Sequence, residues 1–368
     1  MESPGIYGAS QPALGIRRRD PSLPGMDTAR AVEHIAHAEA RRVRAFRDES
    51  ELDDLDERLG RKLPAFRVTK NYAGSSAFVA EALDRDPSHP NGDRLPLVVD
   101  FLNRRVLPLV DPDADPAGCY RLELHDSYTY LPGRERYEDA FSFGRAHDAK
   151  ERRVALLPDP YHMVGFGGAV DAAAQDPVPW NQKAPKLFFA GATTGDRCPA
   201  LNARLRACMW SLDRRDVSVM LITKLAQMRL EDVVEAHPRF LEATNAPVPI
   251  DEHFAFRYQV NIAGNTAAWS RLPMMLASRC LVVHARQRAA DDATWYYPLL
   301  REGAHYVGAD SADGEDLLRA HAFCRAYDGK CRAMVDAANA VARDLFHPGA
   351  AAAYAAALLE ECVWLSKP

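Results

Sequence analysis

The stretch HFAFRYQVNIAGNTAAWSRLPMMLASRCLVVHARQRAADDATWYYPLLREGAHYVGAD, residues 253 to 310, decides the fold. Its β-branched and aromatic run Tyr258 to Ile262 reads as a buried strand, and Gly264-Asn265 breaks it. An amphipathic helix is expected from about Ala268 to Ser278, and a second strand from Leu281 to His284 directly after Cys280. A strand, glycine turn, helix and strand joined with so little slack belong in an open parallel sheet. A turn at the carboxyl end of such a strand presents backbone N–H groups beside Arg271, so an anion is the expected guest.

Outward from this unit, the chain of 368 residues is long enough for two cores of ordinary size, and its 47% hydrophobic content can fill them. The formal net charge of -5 gives no basic excess of the kind that nucleic acid or an acidic membrane surface attracts. Seven cysteines, odd in number and without a CxxC pair, suggest neither a metal knuckle nor a disulfide framework, and free thiols in a reducing compartment are expected. No N-terminal apolar stretch resembles a signal peptide and no apolar run reaches a membrane-spanning length, so a cytoplasmic protein is expected.

Residues 1–27, with four prolines around Arg17-Arg18-Arg19, are expected to form a loose arm. Residues 28–180 read as a first α/β domain. It comprises a helix from Thr28 to about Arg58, a strand at Phe66 to Thr69 and a helix from Ser75 to Leu83. A further apolar segment, Leu97 to Val110, reads as helical until Pro108, followed by strands at Tyr120 to Leu124, Ala140 to Phe143 and Val154 to Leu157. The Pro- and Gly-rich segment 158–185 reads as loops at a boundary. Residues 181–345 form the second α/β domain, with strands at Lys186 to Phe189 and Val217 to Ile222 around a helix from Ala200 to Trp210. Residues 346–368 supply an alanine-rich helix expected to pack back on the first domain.

Four stretches occur together in an order that carries a resemblance. They are RLELHDSY (121–128), WNQKAPKLFFAGATTGDR (180–197), FRYQVNIAGNTAAWSRLPMMLASRCLVV (256–283) and WYYPLLREGAHYV (295–307). In order and spacing the chain resembles the CAP10-like glycosyltransferases, family 90 of the glycosyltransferase classification, which include protein O-glucosyltransferases and fungal capsule xylosyltransferases. The resemblance is good over roughly residues 115–345. It implies a GT-B-like α/β architecture of two Rossmann-like domains facing across a cleft. The nucleotide-sugar donor would lie on the C-terminal domain, with inverting, metal-independent transfer from a UDP-sugar, UDP-glucose or UDP-xylose foremost. The partners it implies are the nucleotide sugar and a hydroxyl-bearing glycan, peptide or small-molecule acceptor.

The resemblance places two catalytic candidates. Arg271, in the Ser270-Arg271 pair, would hold the departing diphosphate, because a guanidinium stabilises charge that grows as the glycosidic bond breaks. Asp126, after a strand end, matches the general base, which must reach the acceptor hydroxyl. Gly191, Thr193, Thr194 and Arg197 in one turn, Gly264, Asn265 and Thr266 in the other, with Ser270 and His305, are the expected donor-binding residues. His305-Tyr306, read as a short strand, faces either the nucleotide or the core. Trp180 is either a wall of the cleft or an interdomain packing residue. Asp159 and His162 are reserve candidates for the base or an acceptor contact, and Asp291 and Asp292 lie where relatives carry a carboxylate. The chain departs from the family at Phe189-Ala190-Gly191, where an arginine usually stands in place of Ala190. That departure keeps open a non-catalytic sugar or nucleotide-sugar binding module, and a sugar-nucleotide epimerase or hydrolase on a similar fold is a second alternative. Asp54-Leu55-Asp56 and Asp113-Ala114-Asp115 have the Asp-x-Asp spacing of metal-dependent transferases. The first lies in a charged helix and the second in a proline-rich loop, where the carboxylates would not be aimed together, so no metal site is expected.

Overall fold

The computed structural model describes residues 28–366 except 44, 60–63, 72–75, 84–89, 115, 126–139, 147–153, 266 and 287–291. The N-terminal part runs α1 (Thr28–Ala40), α2 (Glu49–Leu59), β1 (Ala65–Lys70), β2 (Phe78–Leu83), α3 (Arg94–Phe101), β3 (Gly118–Glu123), β4 (Ala140–Ser142), β5 (Arg145–Ala146), β6 (Val154–Leu156), α4 (Pro160–Met163) and α5 (Ala169–Ala174). The C-terminal part begins with β7 (Ala184–Ala192), α6 (Ala203–Leu212), β8 (Ser218–Lys224), α7 (Leu230–Ala236), α8 (Ile250–His253) and β9 (Phe256–Ile262). It continues through α9 (Arg271–Ala277), β10 (Leu281–Ala285), β11 (Asp292–Ala293), β12 (Val307–Ala309), α10 (Gly314–Ala326), α11 (Asp328–Leu345) and α12 (Pro348–Ser366).

The result is an α/β fold with two five-stranded sheets. The first, in the order β2-β1-β3-β4-β6, is mixed: β1 pairs antiparallel with β2 and β3, whereas β3, β4 and β6 run parallel. The second, in the order β12-β10-β9-β7-β8, is parallel throughout. From β7 the chain steps outward to β8, then returns to the other side of β7 to lay down β9 and β10. The order therefore reverses between β7 and β9. In open α/β sheets a crevice opens outside the carboxyl ends of the strands at such a reversal, because successive connections leave on opposite faces.

Both faces of the second sheet are buried, which is why its strands read as nearly continuous apolar runs. Along β9 the side chains alternate. Tyr258, Val260 and Ile262 enter a core shared with Leu205, Leu317 and Val335, while Gln259 and Asn261 occupy the opposite face. On that face α9 buries Leu272, Met275 and Leu276 in a larger core that also takes Phe66, Tyr120 and Phe141 from the first sheet. The last helix, α12, packs against α1, and its Tyr354 hydroxyl donates to Leu156 O at 2.8 Å.

Several local expectations need correction. Residues from Ser75 to Leu83, expected to be helical, contain strand β2 in register with β1, with Phe78 and Ala80 buried. The helix expected from Thr28 to Arg58 is two helices, separated where Phe46 forms a bridge with Cys119 of β3. Segment 158–185 holds α4 and α5 as well as loops, and α9 begins at Arg271 instead of Ala268. His305 and Tyr306 precede strand β12 and belong to the turn before it. All seven cysteines are free, and Cys198 alone among them is exposed. Among the described residues no helix is long and apolar enough to cross a membrane.

Candidate functional site at the reversal of the parallel sheet

At the carboxyl ends of β7 and β9 two turns close on each other. The Gly195 N–H donates to Asn265 Oδ1 at 3.1 Å, joining the turn after β7 to the turn after β9. Arg204, the second residue of α6, fastens both turns from below. Its Nη1 donates to Ala192 O at 3.0 Å and to Thr194 Oγ1 at 2.5 Å, its Nη2 to Ile262 O at 2.9 Å, and its Nε to Ala263 O at 3.2 Å. Gly264 is required here by space: a Cβ would lie 2.5 Å from Thr194 Oγ1 and 2.9 Å from Arg204 Nη2.

Arg271 enters from the other side, at the first turn of α9. Its guanidinium lies 4.7 Å from the centre of the Phe189 ring, and that of Arg204 lies 5.6 Å from the same ring. Arg271 Nη2 donates to Ala190 O at 3.1 Å, and a Cβ on Gly191 would collide with it. Its Nη1 is buried and has no hydrogen-bond partner among the described residues. Among them, too, no carboxylate forms an ion pair with Arg204 or Arg271. Burial lowers the Arg271 pKa to about 10, and burial followed by repulsion from Arg271 holds that of Arg204 well below the usual guanidinium value. A guanidinium stays protonated at neutral pH, so these shifts express first the cost of burying each cation and, at Arg204, its repulsion by Arg271, with no counter-charge among the described residues.

Arg271 opens into a cavity of about 480 Å³ between the end of β7, α8 and α9, with Ser270 on its rim. The Ser270 side chain makes no cap to α9. His253, at the end of α8, also lines the cavity; burial, then Arg271, lowers its pKa to about 4, opposed by a hydrogen bond with the Val248 backbone. Its ring meets Phe188 edge-on at 4.8 Å.

The structure therefore brings Gly191, Thr194, Gly264, Asn265, Ser270 and Arg271 to one place, and adds Arg204, which the sequence reading missed. Thr193 adjoins them but is fully buried, and its hydroxyl is used twice by Ala226, donating to its O and accepting from its N, each at 2.8 Å. Arg197 is exposed on the outer side of its turn. His305 lies in the turn before β12: its Nδ1 accepts from Arg301 N at 3.0 Å, and burial followed by Arg301 lowers its pKa to about 4. Trp180 takes the packing role of its two readings: its Nε1 donates to Asp328 at 2.9 Å and Arg257 covers its ring, and it does not line the cavity. Asp159 and His162 are both fully buried and bonded to each other at 2.8 Å, which removes them from any acceptor.

Asp126, Thr266 and Asp291 lie outside the described residues, as does Asp115, and the side chain of Asp292 is likewise not described. The residues leading to Asp126 are placed. Leu124 O accepts from Arg94 Nη1 at 2.6 Å, and the same guanidinium lies 5.1 Å from the Trp269 ring. The end of β3 thus meets the segment Trp269-Ser270-Arg271. Among the described residues no group of three or more His, Cys, Asp or Glu side chains is placed to hold a metal ion.

A parallel sheet whose reversal point carries a buried guanidinium without a counter-charge among the described residues is suited to an anionic ligand. Comparison with known proteins gives the family: residues 169–367, more than half of the chain, match the model of glycosyl transferase family 90. The chain belongs to that family. It is 27% identical over 158 residues to an O-glucosyltransferase rumi homolog from Anopheles gambiae, a match covering 43% of this chain and 36% of that protein. The match thus spans about a third of the relative's length. Among solved structures, it overlaps in part with the C-terminal domain of a glycosyl transferase group 1 family protein, LpcC, from Francisella tularensis (TM-score 0.32, 8% identity, 48% of this chain and 92% of that one). A similar partial overlap is with Anabaena Alr3699/HepE in complex with UDP and glucose (TM-score 0.31, 12% identity, 49% of each chain).

Proposed function

We propose that the chain is an inverting, metal-independent glycosyltransferase of GT-B architecture. It moves a sugar from a UDP-sugar, UDP-glucose or UDP-xylose, to a hydroxyl of a glycan, peptide or small molecule. The observation that carries this reading is the buried Nη1 of Arg271, without a partner among the described residues, at the reversal point of the parallel sheet. Family membership and the O-glucosyltransferase relative support it.

In this reading the diphosphate sits against Arg271, with Arg204 behind it. The acceptor oxygen attacks the anomeric carbon while the bond from that carbon to the β-phosphate oxygen breaks. The electron pair departs on UDP, whose growing charge Arg271 meets in a site of low dielectric. Asp126 takes the hydroxyl proton. The join of Leu124, Arg94 and Trp269 supports its approach to the donor side. Domain closure would exclude water and limit hydrolysis of the donor.

The test is UDP release from a panel of UDP-sugars with candidate acceptors, for wild type and Asp126→Asn. Transfer by wild type, lost in the variant with UDP binding retained, is the expected result. UDP binding without transfer in both would favour a binding module instead, the reading that Ala190 motivates.

A further inference from the structure

The cavity that Arg271 closes at one end is lined by a second residue with a buried polar atom that has no partner among the described residues. Gln259, on the α9 face of β9 and 2% exposed, lines the same cavity. Its Nε2 donates to His253 O at 2.6 Å and Phe256 O at 3.3 Å. Two carbonyls on that side fix the orientation of the carboxamide, since a flip would set its oxygen against both. Oε1 is thereby left buried with no partner among the described residues. A buried acceptor is costly until a donor reaches it.

The lining is largely apolar, with Pro247, Val248, Ile250, Phe254, Met274 and Met275, and Thr223, Lys224, His253 and Ser278 add polar edges. The volume of about 480 Å³ falls in the usual range for small ligands, roughly 300–1,000 Å³. A fitting guest has an anionic group for Arg271, a flat apolar body for the walls, and one N–H for Gln259. Methionine sulfur is soft enough to pack on a heteroaromatic ring.

We infer that this cavity takes the base of the donor nucleotide, and that Gln259 selects uracil by accepting its ring N3–H. Nε2 is committed to the backbone, so the side chain offers an acceptor alone. Cytosine presents a lone pair at the corresponding ring nitrogen and is repelled there. The assignment rests on the nucleotide-sugar reading above and gives it a residue that sets base specificity.

Calorimetry on the wild-type chain with UDP, N3-methyl-UDP, CDP and inorganic pyrophosphate tests it without altering the fold. UDP should bind tightest, with N3-methyl-UDP and CDP each weaker by roughly tenfold or more, as expected for one buried hydrogen bond. In Gln259→Leu, UDP should fall to the level of N3-methyl-UDP while pyrophosphate binding stays unchanged. Equal binding of UDP and N3-methyl-UDP by wild type would overturn the role of Gln259 and leave the donor reading standing. Absence of binding by both UDP and pyrophosphate would overturn both.

Discussion

Arg271 Nη2 donates to the carbonyl oxygen of Ala190 at 3.1 Å, tying the first residue of α9 to the end of β7. This bond aims the guanidinium but satisfies only part of it, because Nη1 is buried without a partner among the described residues. A side chain kept in that state is costly to the empty protein and useful to a ligand-binding one.

Removing the cation should therefore separate stability from binding. In Arg271→Met, thermal unfolding without ligand should occur at the wild-type temperature or above it, since a buried charge with no counter-charge among the described residues has been exchanged for an apolar chain. UDP should raise the melting temperature of wild type and not that of the variant. A variant that melts well below wild type in the absence of ligand would contradict this reading.

The two close-packed glycines predict different failures. A Cβ at Gly191 meets the far end of the Arg271 side chain and the edge of the Phe189 ring, so Gly191→Ala should displace the guanidinium and weaken UDP binding with less loss of stability than a clash with backbone. A Cβ at Gly264 meets Thr194 and the anchored Arg204, so Gly264→Ala should destabilise the fold by about 1–3 kcal/mol. Denaturant titration of both variants beside UDP titration distinguishes them.

Arg204 holds the turns together through three carbonyls and one hydroxyl. Arg204→Met should cost about 2–4 kcal/mol of unfolding free energy, as buried carbonyls lose charge-assisted donors. The loss is read by chemical denaturation, and a change below about 0.5 kcal/mol would show that the turns close without it.

How much of this is legible from sequence differs from residue to residue. The strand, turn, helix and strand from Phe256 to Ala285 are legible because each carries its own period: Tyr258, Val260 and Ile262 alternate, and Leu272, Met275 and Leu276 follow a helical stripe. β2 is not, since FVAEAL has helical composition and becomes a strand only through its pairing with β1. Arg204 sits in ARLRACMWSL like any surface arginine. Its burial follows from carbonyls contributed by β7 and β9, far apart in the chain, which no local pattern reveals. Gln259 is hidden in the same way, as a polar residue in an apolar strand whose importance depends on what α8 and α9 build around it.

Acidification should destabilise the empty protein. Burial lowers the pKa values of His253 and His305 from 6.5 to about 4, so the unfolded chain takes up protons across that window that the folded chain refuses. Their contribution to stability is present above pH 6.5 and lost as the pH falls toward 4. Melting temperatures measured over this range should fall with pH, and less steeply in the double variant His253→Gln, His305→Gln. A diphosphate beside Arg271 would also offset the cation that depresses His253. UDP binding near pH 5 should accordingly take up protons, seen as a dependence of the calorimetric heat on buffer ionisation enthalpy.

The central claim is that the reversal point of the parallel sheet receives the diphosphate of a nucleotide sugar through Arg271. Titration calorimetry of UDP into wild type and Arg271→Met tests it most directly. Wild type should bind, and the variant should bind more weakly by roughly tenfold to a hundredfold, the loss expected for charge-assisted hydrogen bonds in a buried site. Equal affinity in the two proteins would place the diphosphate elsewhere and contradict the account.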